Sequence, residues 1–244
     1  MKTVAIVQAR MGSTRLPGKV MMTAAGDPLL EHLLMRLRRS KRADDIVVAT
    51  TELEKDDPVA SLAKRLGVNV WRGSEDDVLA RYHGAALNAS ADAIIRVTGD
   101  CPLIDPAIVD LVASKFLDSQ STIDYASNTL ERTYPRGLDC EVFSFAALEE
   151  AHLKATDPME REHVTPYIWR RPERFRIAQV TQDRDLSGHR WTVDTPEDFE
   201  LVRRLLEALV PVRLDFNLED ILAVLEDHPD WLRINADVPQ KEVL

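Results

Sequence analysis

Three basic side chains lie close together in the first loop of the chain. Arg10, Arg15 and Lys19 all belong to residues 8–19 (QARMGSTRLPGK), which follow an apolar run and contain no acidic residue. A glycine-rich loop can turn several backbone N–H groups toward one point, and neighbouring cations can then neutralise phosphate oxygens. The pattern is typical of a triphosphate-binding loop. The alternative is a tight turn whose basic side chains face solvent or pair with surface acids.

Two familiar nucleotide-binding signatures do not fit this loop. The Walker signature has four residues between its first glycine and Gly-Lys, followed by Ser or Thr. Here five residues separate Gly12 from Gly18, and Val20 follows Lys19. A Gly-x-Gly-x-x-Gly pattern is also missing from the sequence. The spacing therefore argues against a P-loop NTPase and against a dinucleotide-binding protein.

Two aspartates are candidates for a metal site. Asp100 follows the apolar run 94–97 and Asp194 follows residues 191–193, and both runs are predicted strands. Each aspartate should lie at the carboxyl end of its strand, where open α/β sheets bind ligands. Magnesium is usually held by one or two carboxylates together with substrate phosphates. Asp100 could instead be an ordinary turn residue, and Asp194 could cap the helix that follows it.

Five other residues are candidates for substrate contacts. Arg72 and Gly73 follow a predicted strand, where a loop could read a base such as cytosine. Asp139 and Glu141 alternate with apolar residues, so both acids should face one side of a strand. They could line an acceptor pocket or form a solvated face. His163 could contact an acceptor or simply pack in a helix.

The first part of the chain alternates between strands and helices. Short apolar runs at residues 4–7, 46–49, 69–71 and 93–97 predict strands that are buried on both faces. Helical patterns lie between these runs and begin near residues 27, 57 and 76. Strands alternating with helices predict βαβ units around a mainly parallel sheet.

The second part of the chain follows a different rhythm. Helices are predicted to begin at Asp105 and Thr195, with a short amphipathic helix over 218–227. Longer excursions separate further predicted strands at 123–126, 141–144, 175–180 and 191–193. The pattern predicts a mixed sheet with an inserted segment.

Length and composition fit one large domain. The 244 residues are 45% hydrophobic and 30% charged, which is enough for a sizeable core. A net charge of −10 argues against a surface built to hold nucleic acid. The N-terminal apolar run is too short for a signal peptide, and no run reaches about 18 apolar residues, so we expect a cytoplasmic protein without a membrane span. Cys101 and Cys140 are expected to be reduced and structural.

The loop motif resembles the nucleotide-binding signature of a known enzyme family. Residues 8–19 are similar to those of the cytidylyltransferases that activate acidic sugars, the CMP-KDO and CMP-sialate synthetases, and of their relatives of the spore coat polysaccharide biosynthesis protein F type. Four further stretches resemble this family in the same order along the chain: 96–105 (RVTGDCPLID), 137–143 (GLDCEVF), 161–167 (REHVTPY) and 191–198 (WTVDTPED).

The resemblance implies a fold and a reaction. The fold is a single-domain, Rossmann-like three-layer α/β/α architecture over residues 1–244, similar to the nucleotide-diphospho-sugar transferases, with a mostly parallel mixed sheet. Residues 121–172 would form an inserted acceptor or dimerisation segment of a homodimer. The implied reaction transfers CMP from CTP to a sugar acid or related acceptor, with release of pyrophosphate, in surface polysaccharide synthesis. Neither nucleic acid nor membrane is an expected partner.

The resemblance also implies roles for individual residues. Asp100 and Asp194 would bind Mg²⁺, the expected cofactor, and Asp139, Glu141 and His163 would bind the acceptor. Arg10, Arg15, Lys19 and Asp100 are the expected catalytic residues. The nucleotide would contact Ala9, Arg10, Gly12, Ser13, Arg15 and Lys19 of the loop, and Arg72 and Gly73 join this set because of their position after a predicted strand. The segment that could read the base, at Arg72 and Gly73, differs from that of the KDO and sialate enzymes. The preference for CTP is therefore implied by the family resemblance and not by these residues.

Two other functions fit parts of the sequence. A glycosyltransferase that uses nucleotide sugars would hold its metal with an Asp-x-Asp pair, but Cys101 and Pro102 follow Asp100. A non-catalytic nucleotide-binding protein of a polysaccharide pathway would not need both aspartates and all three basic loop residues. Catalysis is therefore the favoured hypothesis.

Overall fold

The computed structural model describes residues 1–119 and 122–239, which form nine strands and nine α-helices. The strands are β1 (Thr3–Gln8), β2 (Thr23–Ala24), β3 (Asp27–Pro28), β4 (Asp45–Thr51), β5 (Asn69–Gly73), β6 (Ala93–Thr98), β7 (Tyr125–Ser127), β8 (Glu141–Ser144) and β9 (Ile177–Gln179). The helices are α1 (Leu29–Leu37), α2 (Asp57–Arg65), α3 (Val78–Asn88), α4 (Pro106–Leu117), α5 (Phe145–Lys154), α6 (Pro158–His163), α7 (Pro166–Trp169), α8 (Pro196–Leu209) and α9 (Leu218–Asp227).

Seven strands form one mixed sheet in the order β5-β4-β1-β6-β8-β7-β9. Strands β5, β4, β1 and β6 are parallel, whereas β8 runs antiparallel to β6 and β7. The prediction of a mostly parallel mixed sheet is confirmed. Because parallel strands end at the same edge, the loops after β1, β4, β5 and β6 meet there.

Helices cover both faces of the sheet, as the predicted three-layer architecture requires. Along β1, Ala5 and Val7 pack with α1, α2, α4, α8 and α9, while Val4 and Ile6 pack with α3, α5 and α7. This alternation follows from the twofold side-chain period of a strand. The core is therefore split into two layers by the sheet, and the loops at its edge are left for chemistry.

The first helix begins one residue later than predicted. Asp27 and Pro28 were expected to start it, but they form β3 and pair antiparallel with Thr23 and Ala24. Pro28 has an extended backbone, with ψ of 147°, so it precedes the helix instead of entering it. The helix starts at Leu29.

The predicted strand over residues 191–193 is wrong. The only bridge next to this segment among the described residues joins Arg136 and Arg190. Beyond it, the Val193 N–H donates to the Asp100 carbonyl at 2.9 Å and the Thr192 hydroxyl donates to the same carbonyl at 3.3 Å, so the segment is attached just after the end of β6. Gly137, with φ of 104°, lies so close that a Cβ would come within 2.6 Å of the Trp191 carbonyl carbon. Asp194 therefore follows an extended crossing segment.

The segment predicted as an insertion begins at Ser121, which lies outside the described residues. Its remainder carries β7, β8 and helices α5 to α7, and both strands belong to the main sheet. Its part in dimerisation stays a prediction. Within residues 1–119 and 122–239, none of the helices combines the length and apolar character needed to cross a membrane.

Candidate active site

The Lys19 ammonium lies between the two predicted metal ligands. Lys19 Nζ donates to Asp100 Oδ2 at 2.9 Å and to Asp194 Oδ1 at 2.8 Å. The lysine begins a 3₁₀ turn directly after Gly18, whose left-handed φ of 72° redirects the chain. Three predicted site residues from distant parts of the sequence thus converge on one point.

The three groups stabilise each other's charged forms. Burial alone would lower the pKa of Lys19, but the charges and hydrogen bonds of Asp100 and Asp194 outweigh it, so that pKa is raised. Burial alone would raise the pKa of Asp100, but the Lys19 ammonium and a hydrogen bond from Thr98 outweigh it, so that pKa is lowered. Asp100 is therefore a carboxylate at neutral pH, and Lys19 is a cation.

Asp194 receives two further cations on its other oxygen. Arg15 Nη2 lies 2.9 Å and Arg190 Nη2 lies 2.8 Å from Asp194 Oδ2. Asp194 does not cap the following helix, because the N-cap of α8 is Thr195, whose hydroxyl accepts from the Asp198 N–H. The capping alternative for Asp194 is therefore wrong, and its carboxylate is left for the site.

A buried carboxylate supports Arg190 and Asp194 from behind. Asp198 is 0% exposed and accepts hydrogen bonds from Arg190, from the Asp194 N–H and from the Asn235 side chain. Burial would raise the pKa of Asp198, but the hydrogen bonds from Arg190 and Asn235 outweigh it and lower that pKa. The sequence indicated Asp198 only as an early acid of a helix. Its contact with Asn235 depends on tertiary structure.

The other end of the loop faces an ion pair that the sequence did not indicate. Lys55 Nζ donates to Glu75 Oε1 at 2.6 Å, and Arg10 Nη1 donates to the Glu75 carbonyl at 3.1 Å. A Cβ at Gly12 would lie 3.1 Å from Glu75 Oε1 and 3.3 Å from Lys55 Nζ. The hydrogen bond from Lys55 holds the pKa of the Glu75 carboxyl below its usual value. This pair lies directly against the glycine of the loop.

The loop is anchored by a second buried carboxylate. Asp56 is 0% exposed, accepts from the Met11 N–H at 2.6 Å and accepts from the Thr51 hydroxyl. The Met11 carbonyl in turn accepts from the Ser13 and Gly18 N–H groups, both at 2.9 Å. These bonds fold the loop back on Met11. They fix the backbone on which the predicted nucleotide contacts depend.

Ala9 and Ser13 occupy different surroundings within the loop. Ala9 is buried beside Gly99, where a Cβ would come within 2.9 Å of the Ala9 Cβ, so only glycine fits there. The Ser13 hydroxyl accepts from the Leu16 N–H at 3.4 Å. Ala9 thus fills the space between β1 and β6, while Ser13 lies at the turn.

Arg72 holds a neighbouring loop together. Its Nε and Nη2 donate to the carbonyls of Thr51 and Leu53 at 2.7 and 2.8 Å, and Nη1 donates to Asp57 at 2.6 Å. Arg72 and Gly73 form the end of β5, which extends two residues beyond the predicted strand over 69–71. Their contact with a base stays a prediction.

A cavity of about 610 Å³ opens beside Asp100 and Asp194. The predicted acceptor residues Asp139, Glu141 and His163 all line it. Four arginines, which the sequence did not single out, line it as well: Arg96, Arg132, Arg136 and Arg190. The remaining lining residues are Thr98, Cys101, Thr129, Leu130, Thr165, Pro166, Trp169 and Thr192. The cavity therefore brings four guanidinium groups and four carboxylates together, with Trp169 on its wall.

The two acids of the cavity differ in accessibility. Glu141 is buried and accepts from Arg96, from the Tyr125 hydroxyl at 2.6 Å and from the Thr165 hydroxyl at 2.6 Å. Asp139 has a 35% exposed side chain and accepts from both terminal nitrogens of Arg132. The solvated-face alternative is therefore wrong for Glu141, whose carboxylate lies buried among its three donors at the cavity wall.

The donor set next to Lys19 suits a hard cation. Two carboxylate oxygens, one each from Asp100 and Asp194, already converge on a single ammonium. No group of three or more histidine, cysteine or acidic side chains suited to a metal occurs in the described part of the chain. A divalent ion held here would take its other oxygens from a ligand or water, as Mg²⁺ commonly does.

Together, the doubly covered sheet, the basic loop and the facing aspartates define a protein of the nucleotidyltransferase class. The chain matches the cytidylyltransferase family over residues 4–224. It is 34% identical to the spore coat polysaccharide biosynthesis protein SpsF of Bacillus subtilis over 232 residues, which span 92% of this chain and 94% of that protein. This chain therefore belongs to the cytidylyltransferase family, as the resemblance of residues 8–19 implied.

Solved structures agree with this assignment. A cytidylyltransferase from Leptospira borgpetersenii serovar Hardjo-bovis has a TM-score of 0.91 and 38% identity to this chain, covering 99% of it and 100% of the other. A CMP:2-keto-3-deoxy-manno-octonic acid synthetase complexed with CTP shares the fold, with a TM-score of 0.63 and 20% identity over 85% and 99% of the two chains. The predicted fold class is confirmed.

Proposed function

We propose that this protein transfers CMP from CTP to a small acidic sugar and releases pyrophosphate, with Mg²⁺ as cofactor, in the cytoplasm. The observation that carries the proposal is the convergence of Lys19 and Arg15 on Asp100 and Asp194, at the mouth of an arginine-lined cavity. Membership of the cytidylyltransferase family supports the nucleotide half of the reaction.

The reaction is an in-line displacement at phosphorus. An acceptor hydroxyl oxygen forms a bond to the α-phosphorus of CTP, the bond to the β-phosphate oxygen breaks, and the hydroxyl proton leaves to solvent. Negative charge grows on the departing pyrophosphate, where Arg10, Arg15 and Lys19 stabilise it. Because the loop backbone is already fixed by Asp56, these cations need little reorganisation.

Asp100 and Asp194 are the proposed magnesium ligands. The bound ion would neutralise phosphate charge and lower the pKa of the attacking hydroxyl. Asp198 and Asn235 keep the Asp194 backbone and Arg190 in place. No step of the proposal requires a dedicated general base.

The acceptor is proposed to be acidic because one of the four arginines that line the cavity, Arg132, pairs with a partly exposed carboxylate. Arg132 lies at its rim with the partly exposed Asp139, so a substrate carboxylate can replace that partner. Asp139, Glu141 and His163 complete the proposed acceptor site. The related SpsF of Bacillus subtilis is a spore coat polysaccharide biosynthesis protein, which supports a surface polysaccharide pathway.

Pyrophosphate release tests the proposal. The protein with MgCl₂ is incubated with each of the four NTPs and with sugar acids, sugar phosphates or phosphonates. We expect release with CTP and a sugar acid, and a loss of at least about a hundredfold in Asp100→Asn. Asp118→Asn, an exposed change at the end of α4, is the control. We expect no pyrophosphate release when MgCl₂ is replaced by EDTA.

The same assay separates the alternatives. A glycosyltransferase would consume a nucleotide sugar and release no pyrophosphate from CTP. A non-catalytic protein would bind CTP tightly and show no turnover with any acceptor. Dimerisation is tested separately by light scattering, where a mass of 27.5 kDa would contradict it.

A further inference from the structure

A fourth cation lies beside the phosphate-binding loop, outside the motif that defines it. Lys55 belongs to the 3₁₀ turn Glu54–Asp56, which follows β4. Its Nζ lies 2.6 Å from Glu75 Oε1, and both atoms lie within 3.3 Å of the place where a Gly12 Cβ would be. The ion pair therefore covers the glycine around which the loop turns.

Glu75 binds cations from two separate segments. Besides Lys55, its Oε1 lies 3.7 Å from Arg10 Nη1, and its backbone carbonyl accepts from the same guanidinium. Glu75 thus collects two positive charges at one end of the loop. Asp100 and Asp194 collect two others at the opposite end, from Lys19 and Arg15.

The Lys55 backbone is fixed while its side chain is accessible. The adjacent Asp56 is fully buried and accepts from the Met11 N–H, so the 3₁₀ turn is held in a fixed position relative to the loop. The side chains of Lys55 and Glu75 are 47% and 28% exposed. A ligand can therefore reach the ammonium and displace the carboxylate without moving the backbone.

We infer that Lys55 binds the triphosphate together with Arg10, and that Glu75 is the carboxylate that both give up when the nucleotide binds. The inference rests on the proposed function, because it takes the loop as a nucleotide site. A triphosphate carries more negative charge and more acceptor oxygens than one carboxylate, so it is the stronger partner for two cations. Glu75 keeps these cations in position until then.

Nucleotide binding by two variants tests the inference. Affinities for CTP, CDP and CMP are measured by isothermal titration in MgCl₂. We expect Lys55→Met to weaken CTP binding about tenfold, the scale of one charge-assisted hydrogen bond, with a smaller loss for CDP and the smallest for CMP. Glu75→Gln is expected to tighten CTP binding about threefold, because the competing charge is gone. Lys64→Met, an exposed lysine on α2, is the charge-matched control.

Several outcomes would overturn the inference. An equal loss for all three nucleotides would mean that Lys55 only supports the loop. An unchanged CTP affinity in Lys55→Met, with a melting temperature like that of the wild type, would show that Lys55 does not contact the triphosphate. Weaker binding in Glu75→Gln would contradict the exchange of partners. If the wild-type protein itself does not bind CTP, the proposed function fails as well, which distinguishes the two failures.

Discussion

The two sides of the site are built in different ways. On the loop side, residues 8–19 supply three of the four cations within one contiguous segment at the end of a buried parallel strand. On the cavity side, Arg96, Arg132 and Arg190 come from separate segments and line one cavity. A compact motif makes the loop, whereas the cavity exists only after the chain has folded.

The pairing of charges also differs between the two sides. The loop cations contact Asp100, Asp194 and Glu75, whose side chains are all between 22% and 28% exposed, so ligands can compete for them. In the cavity, Glu141 is buried and shared by three donors. The loop side is thus arranged for exchange of partners, and the base of the cavity is arranged for rigidity.

The largest expected effect tests the rigid pair. Glu141→Gln removes the charge that faces Arg96 in a pair whose side chains are 8% and 13% exposed, and breaking a buried ion pair costs about 3–5 kcal/mol. Urea denaturation should show this loss in the free energy of unfolding. Asp139→Asn, which breaks the more exposed pair with Arg132, is expected to cost less than about 1 kcal/mol. Equal losses for the two variants would contradict the contrast.

The next effect concerns the exchangeable side. Lys19→Ala removes the cation between Asp100 and Asp194, and pyrophosphate release should fall at least about a hundredfold. Lys19 is buried between the two carboxylates, so its removal is also expected to lower the melting temperature, and turnover is compared at a temperature where both proteins are folded. Lys115→Ala on the outer part of α4 is the control. Turnover close to the wild type would refute the role of Lys19.

A smaller effect is expected at the rim of the cavity. Arg132→Ala should raise the KM for the acidic acceptor about tenfold and leave the KM for CTP unchanged, the scale of one charged hydrogen bond. Arg213→Ala, which breaks an exposed pair with Asp215, serves as control. A matching rise in the KM for CTP would place Arg132 in the nucleotide half.

The remaining effect is a pH dependence of stability. The folded-state pKa of Asp198 is lowered from 3.8, so its contribution is present above that pH and is lost as the pH falls through the folded value. Asp198→Asn should therefore be less stable than the wild type at pH 7, by about 3–5 kcal/mol, because it leaves Arg190 without its buried partner. The difference should shrink below pH 3.8. If the difference in the free energy of unfolding between Asp198→Asn and the wild type, measured by urea denaturation, stays constant from pH 7 to pH 3, ionisation of Asp198 does not contribute to stability.

The sequence predicted the parts of the molecule that depend on local patterns. The buried runs predicted β1, β4, β5 and β6, and the Thr-Pro start with early acids predicted α8. The strand at residues 191–193 failed, because its extended backbone bonds to the end of β6 and to Arg136, and no full ladder follows. Alternation of apolar residues indicates extended backbone, but it does not supply a neighbouring strand.

The partners of the site residues were less accessible to sequence reasoning. Lys55 and Glu75 are 20 positions apart and meet only because β4 and β5 are neighbours in the sheet. Arg190 and Asn235 are 45 positions apart, and no motif connects them. Acidic and basic side chains are common on any protein surface, so the sequence does not show which of them pair. The topology of the fold decides it.

Asn235 has a consequence for how the protein becomes active during synthesis. A chain is made from its N-terminus, and early segments can fold before late ones have left the ribosome. The loop and its anchor at Asp56 are complete once β4 has formed, but Asn235 donates to Asp198 and to the Arg190 carbonyl from near the other end. The support behind Asp194 is thus completed only when almost the whole chain has emerged, so a nascent chain would hold a formed loop well before it holds a finished site.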